Sequence, residues 1–270
     1  MNFSETVWKK GSLSYDRARV MGILNLTSDS FSDGGAYSGK AAEERVFQMV
    51  DEGADIIDVG GESTRPGYTP VSAELEIERI IPLIKTIASS LSVPISVDTM
   101  KPEVAIKALD SGASIINDVG GLLNEEMVNI IADASAAVVV MHMPTEPHVV
   151  HNTKMAGDVI SEIREFLFRV TDNAISKGIK KNSIIIDPGI GFGKTPEQNI
   201  HILRNVGMLC GEYPVLIGAS RKRFLADMYP SLSKDDASIE AVKAAVSNGA
   251  SIVRVHDVAG TVRAIQAANK

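Results

Sequence analysis

Short apolar runs recur along the chain, each followed by a polar turn and then a stretch with helical spacing. The runs are Val20–Leu26, Ile56–Gly60, Ile95–Asp98, Ile115–Asp118, Ala137–Met141, Ile184–Asp187, Val215–Gly218 and Ile252–His256. They are rich in Val and Ile and too short for helices. Their near-continuous apolarity predicts parallel strands covered on both faces. Between them, Ile77, Ile80, Ile81, Ile84 and Ile87 share one helical face, which Pro82 interrupts, so a kink is expected there. Val46, Met49 and Val50 make a smaller stripe. Thr195-Pro196-Glu197-Gln198 has the form of a capped helix start, and Asp158 starts a helix that Gly178 ends after about Lys177.

A weak repeat sharpens this pattern. Gly53-Ala54-Asp55-Ile56-Ile57, Gly112-Ala113-Ser114-Ile115-Ile116 and Gly249-Ala250-Ser251-Ile252-Val253 are near copies. In each, a glycine ends a helix and an Ala-polar pair leads into a strand, the αβ junction of a β/α unit. Eight such units without a break in composition predict a single (β/α)8 TIM barrel over residues 1–270, with residues 1–19 as a short N-terminal capping segment. The alternative is an open, doubly wound sheet. A chain of 270 residues is close to the ~250 typical of such a barrel.

A formal net charge of -7 argues against a nucleic-acid partner, although a few local Arg and Lys can still dominate one pocket. One cysteine, Cys210, excludes an internal disulfide and a cysteine zinc site and suits a reducing cytoplasm. No signal-peptide run and no ~18-residue apolar stretch predict neither export nor a membrane span.

In β/α barrels, chemistry collects at the C-terminal ends of the strands. The groups found there are Asn25, Asp58 with Glu62, Asp98, Asn117 with Asp118, His142, Asp187, Ser220-Arg221-Lys222, and Arg254 with His256. Any one Asp or Asn could simply cap the next helix. One shared mouth explains all of them together. Asp98, Asn117 and Asp187 suit a planar heterocycle with an amidine-like edge, because carboxylates accept from its N–H groups. A carboxylate metal site is the competing reading. Arg254 and His256 on the last strand suit an anion, with pairing of Arg254 to a nearby carboxylate as the plainer alternative. His142 reads as a packed histidine, and DPGIGFGK lacks P-loop spacing.

The motifs MGILNLTSDSFSDGG from Met21, GADIIDVGGESTRPG from Gly53, SVDTMKPEVA from Ser96, INDVGG from Ile116, VVMHMP from Val139, IIDPGIGFGKT from Ile185, IGASRKRF from Ile217 and RVHDV from Arg254 occur in order. Together they resemble the dihydropteroate synthases, across roughly Val20 to Val258. The resemblance implies a cytoplasmic, homodimeric transferase of folate biosynthesis. It would join 6-hydroxymethyl-7,8-dihydropterin pyrophosphate to 4-aminobenzoate, use Mg2+ and be a sulfonamide target. By the same resemblance, Asp98, Asn117, Asp187 and Lys222 bind the pterin. Asn25, Arg254 and His256 bind the pyrophosphate, with Asn25 also on the metal. Phe31, Asp33, Thr64, Arg65, Pro66, Phe192, Lys222 and Arg223 surround 4-aminobenzoate. The catalytic set is Asp98, Asp187, Lys222 and Asn25. A related methyltetrahydrofolate methyltransferase would share the pterin contacts but needs neither DSFSDGG nor Lys222 beside Arg254 and His256. An inactive pterin-binding barrel would be expected to lose polar strand ends, and none is lost here. Leu26, Ser28 and Arg223 depart from the residues common in the family, as does PTEPHVVHN after Met143.

Overall fold

Parallel pairing joins eight strands in the order Ile184–Asp187, Ala137–Met141, Ile115–Asp118, Ile95–Asp98, Ile56–Gly60, Arg19–Asn25, Ile252–Val255, Leu216–Ile217. The computed structural model describes residues 3–27, 39–63, 69–144, 155 and 157–268. The strands are β3 (Arg19–Asn25), β4 (Ile56–Gly60), β5 (Ile95–Asp98), β6 (Ile115–Asp118), β7 (Ala137–Met141), β8 (Ile184–Asp187), β9 (Leu216–Ile217) and β10 (Ile252–Val255). A parallel bridge between Ile186 and Val215, with Ile186 N–H donating to Pro214 O at 3.0 Å, brings the two ends of the sheet together. The expected (β/α)8 barrel is therefore the fold, and the open doubly wound sheet is not.

Helices follow the strands: α1 (Lys40–Asp51), α2 (Ala73–Ile87), α3 (Pro102–Asp110), α4 (Glu125–Ala134), α5 (Val159–Ser176), α6 (Pro196–Arg204), α7 (Val206–Cys210), α8 (Leu225–Met228), α9 (Lys234–Ser247) and α10 (Val258–Ala268). Thr195 and Gln198 form the expected capping box at α6, and Asp158 caps α5 through Ile160 N–H. Pro82 lies inside α2, which continues through it to Ile87. The N-terminal segment is a hairpin, β1 (Glu5–Trp8) paired antiparallel with β2 (Gly11–Ser14).

The repeated αβ junction has a single physical cause. Gly53, Gly112 and Gly249 take φ values of +100°, +115° and +102°, which only glycine adopts without strain. At the first of them Gly53 N–H donates to Val50 O at 2.9 Å and Ala54 N–H to Met49 O at 2.9 Å, the paired bonds of a Schellman motif. Ser135 makes the same turn after α4 with φ +49°, donating to Ala132 O while Ala136 donates to Ile131 O. A serine in that conformation is strained by its Cβ. Ser135→Gly is therefore expected to stabilise the fold by about 0.5–1 kcal/mol and to raise Tm by about 2 °C, read by thermal unfolding. A lowered Tm contradicts this.

Alternation along the strands then decides what enters the barrel. Met21, Ile56, Ile115, Ala137, Val139, Ile185, Leu216 and Ile252 form an inner apolar layer, closed at its N-terminal end by Leu13 of the hairpin with Trp8 and Tyr15 packed against it. The alternate residues pack outward against the helices in the larger core cluster. Two residues further along the inner face, the same periodicity places Asp58, Asn117, Asp187 and Arg254, after Ile56, Ile115, Ile185 and Ile252. Polar chemistry thus starts directly above a sealed apolar floor.

Candidate active site

Arg254 is the centre of the barrel mouth. Its Nε donates to Asp58 Oδ2 at 2.6 Å and its Nη2 to Asp98 Oδ2 at 2.7 Å. Register explains the meeting: Asp98 lies opposite Gly60 and Asn117, while Asp58 lies opposite Ile23 and Ser96. One guanidinium is thus shared between two buried carboxyl groups. The Asp98 carboxyl is accordingly held above its usual range, first by burial and then, against the pull of Arg254, by the neighbouring Asp58, Glu76 and Asp118. Asn117 Nδ2 donates to Asp58 Oδ2 at 3.3 Å.

Across the mouth, Asp187 ends β8 and Lys222 follows β9. Burial pushes the Asp187 carboxyl up to about 6, opposed by the Gly189 N–H at 2.7 Å and by the charges of Lys222, Lys194 and Arg254. Burial lowers the Lys222 ammonium to about 8, helped by Arg254 and opposed by Asp187 and Asp98. Lys222 Nζ stands 4.3 Å from the centre of the Phe192 ring, a cation–π contact. Phe192 packs with Val119, Met141 and Met143, and with Met100 beside them, into an apolar wall. A flat ring could lie against this wall with its polar edge toward Asp98, Asn117 and Asp187.

The supports of these groups include Ser238 and Asp235, which the sequence did not single out. Arg221 takes φ +59°, and its N–H donates to Ser238 Oγ at 2.8 Å while its Nε donates to Asp235 Oδ1 at 2.8 Å. The tight turn that presents Lys222 is thereby anchored to α9, and Arg221 is turned to that helix. Ser220 Oγ lies 3.0 Å from His256 Nδ1 and accepts the His256 backbone N–H at 3.3 Å. Lys194 is directed into its own loop, donating to Gly189 O at 2.9 Å, Phe192 O at 3.0 Å and His142 Nδ1 at 3.0 Å. Burial lowers Lys194 to about 7 and His142 to about 3, so the imidazole is neutral and accepts. His142 is a packed histidine, edge-on to Phe166.

Asn25 closes β3, where its Oδ1 lies 3.2 Å from the point a Cβ on Gly60 would occupy. Asp98 Cβ is 3.5 Å from the same point. A side chain at Gly60 would therefore crowd Asn25 and Asp98 together. Glu62 accepts the Val71 N–H at 2.7 Å and pairs with Lys101 at 3.0 Å, which fixes the root of the second loop. Arg223 is exposed and lies just before the four-residue α8. Phe31, Asp33, Thr64, Arg65 and Pro66 lie outside the described residues, as does most of PTEPHVVHN.

At the barrel mouth, then, two carboxyls and a carboxamide face the half-buried Lys222 and an apolar wall. The family model described as pterin binding enzyme matches residues 21–256. Dihydropteroate synthase of Synechocystis is 42% identical over 248 residues, covering 90% of this chain and 86% of that protein. Its counterpart in Bacillus subtilis is 41% identical over 256 residues, covering 93% and 87%. The structure of the Xanthomonas albilineans dihydropteroate synthase superposes with a TM-score of 0.90 at 40% identity, covering 98% of this chain and 97% of that one. The chain belongs to the dihydropteroate synthase family.

Proposed function

We propose that this protein condenses 6-hydroxymethyl-7,8-dihydropterin pyrophosphate with 4-aminobenzoate, giving 7,8-dihydropteroate and pyrophosphate. The observation that carries the reading is the convergence of Asp98, Asn117, Asp187, Lys222 and Arg254 on one mouth. Relatives supply the ligands: the Xanthomonas albilineans enzyme has been solved with 4-aminobenzoic acid and with 7,8-dihydropteroate. A Yersinia pestis relative has been solved with a sulfonamide drug, and sulfonamides should compete with 4-aminobenzoate here as well.

In this reading Asp98, Asn117 and Asp187 accept the N–H groups of the pterin edge, and Lys222 orients the ring. The C–O bond to pyrophosphate breaks and its electron pair leaves with the phosphate. The two carboxylates favour the positive charge left on the pterin methylene and ring. Asn25, His256 and the Nη1 donors of Arg254 stabilise the departing anion. The arylamine lone pair then forms the C–N bond in an oriented site, and its extra proton is shed. Phe31, Asp33, Thr64, Arg65, Pro66, Phe192 and Arg223 would enclose the 4-aminobenzoate.

Mg2+ suits this donor set. Asn25 offers a neutral oxygen at the strand end, and among the described residues no group of three His, Cys, Asp or Glu could hold an ion alone. A magnesium ion is commonly held by one or two protein oxygens plus substrate phosphates. When bound, it would supply charge stabilisation to the leaving pyrophosphate. The same reading carries a homodimer, a cytoplasmic location and a single catalytic unit over the whole chain. Chromatographic detection of dihydropteroate from the two substrates with Mg2+, and its loss with a chelator, tests the reading. Product that forms equally well without the metal removes Mg2+ from it.

Titration gives an expected pH profile. Asp98 and Asp187 must both be ionised to accept from the pterin, and burial raises them to about 7 and about 6, so kcat/KM rises with pH through about 6 to 7. Lys222 must keep its proton, so kcat/KM falls above about 8. Lys222→Arg, which stays charged, should remove the alkaline limb and leave the acid limb in place. An alkaline limb that survives this substitution contradicts the assignment.

A further inference from the structure

Asp58 is fully buried in β4, yet the reading above gives it no contact with either substrate. Its Oδ2 accepts from both Arg254 Nε at 2.6 Å and Asn117 Nδ2 at 3.3 Å. Its Oδ1 has no hydrogen-bond partner among the described residues. A carboxylate enclosed in this way costs the fold desolvation, and an apolar residue would fill the layer at less cost. What the carboxylate gains is geometric. With Nε on Asp58 and Nη2 on Asp98, the guanidinium plane is fixed by two different strands, β4 and β5. With Nδ2 on Asp58, the Asn117 amide has one orientation, and its Oδ1 is the end left to accept from a ligand.

We propose that Asp58 is a positioning residue that holds Arg254 and Asn117 from below, so that guanidinium and amide meet the pterin pyrophosphate in one preset orientation. The proposal rests on the synthase reading. Both side chains that Asp58 holds belong to the pterin pyrophosphate end, and neither is among the residues assigned to 4-aminobenzoate. That asymmetry separates positioning from a general structural role.

The test is steady-state kinetics of Asp58→Asn, which keeps the size and removes the charge. kcat/KM for the pterin pyrophosphate should fall on the order of 100-fold, the scale of a lost electrostatic contact, while KM for 4-aminobenzoate stays within about threefold. Equal losses toward both substrates, or none, overturn the proposal. Ser96→Ala is the matched control: Ser96 lies opposite Asp58 in register, and its buried hydroxyl has no hydrogen-bond partner among the described residues. It should leave the kinetics unchanged, and a loss matching that of Asp58→Asn overturns the specificity of the claim. Should Asp58→Asn fail to fold, the unmodified protein still decides the question. The Arg254 Nε proton, assigned by its absence from the Arg254→Lys spectrum, should exchange slowly by NMR both free and with dihydropteroate bound. Rapid exchange in both states overturns the proposal. Unmodified protein that makes no dihydropteroate overturns the synthase reading itself. Active parent beside an equally active Asp58→Asn overturns only the role of Asp58.

Discussion

Asp98→Ala is expected to lower kcat/KM for the pterin pyrophosphate by more than about 100-fold, the scale of removing one preorganised electrostatic contact. Asp98 is buried at the end of β5 and accepts from Arg254 at 2.7 Å. The substitution removes a carboxylate that the proposed mechanism sets against the pterin and frees one end of the guanidinium. Arg254 remains tied to Asp58, so the fold should survive and the loss should be kinetic. Steady-state rates with far-UV circular dichroism separate these outcomes. A near-parental rate in folded Asp98→Ala removes Asp98 from the pterin set.

Arg254→Met should act on stability as well as on rate. Asp58 is fully buried and Arg254 is its cationic partner, with a side chain 19% exposed. Removing one member of a buried pair leaves an uncompensated charge, at a cost of about 3–5 kcal/mol. At roughly 2–4 °C per kcal/mol for a chain somewhat larger than the 150–250 residues surveyed, Tm should fall by about 10 °C. Asp58→Asn in the same chain should restore part of that loss, because the buried charge goes with it, but should not restore activity. Thermal unfolding of the three variants reads this directly. An Arg254→Met protein as stable as the parent would mean that the pair contributes nothing to the fold.

The barrel was legible because its strands are buried on both faces and therefore spell themselves as apolar runs. All eight runs reappear within one residue at either end. The run at Val215–Gly218 shrinks to Leu216–Ile217, because Val215 is left with a single bridge to Ile186 at the seam between β8 and β9. The three Gly-Ala repeats were legible because a left-handed helix end needs glycine. Ser135 does the same work without that signal and was invisible for the same reason. The N-terminal hairpin also escaped, since its four-residue strands bury little more than Thr6 and Leu13.

The groups at the strand ends were legible as candidates, because β/α barrels gather them at one mouth. Their pairings were not. Asp58 and Arg254 are 196 residues apart, and nothing local marks one as the partner of the other. Nor does anything local show that burial and two loop carbonyls commit Lys194 to its own loop. Arg221 follows Ser220 and precedes Lys222, yet its strained φ and its bond to Asp235 turn it to α9. Sequence names the chemistry available at a barrel mouth. The register of the sheet decides which groups face one another.

The most direct test of the account is pyrophosphate release by the purified protein given the dihydropterin pyrophosphate and Mg2+, with and without 4-aminobenzoate. The account predicts release that rises strongly with 4-aminobenzoate, one dihydropteroate appearing for each pyrophosphate. Release that ignores 4-aminobenzoate and yields no dihydropteroate, or no release at all, would contradict it.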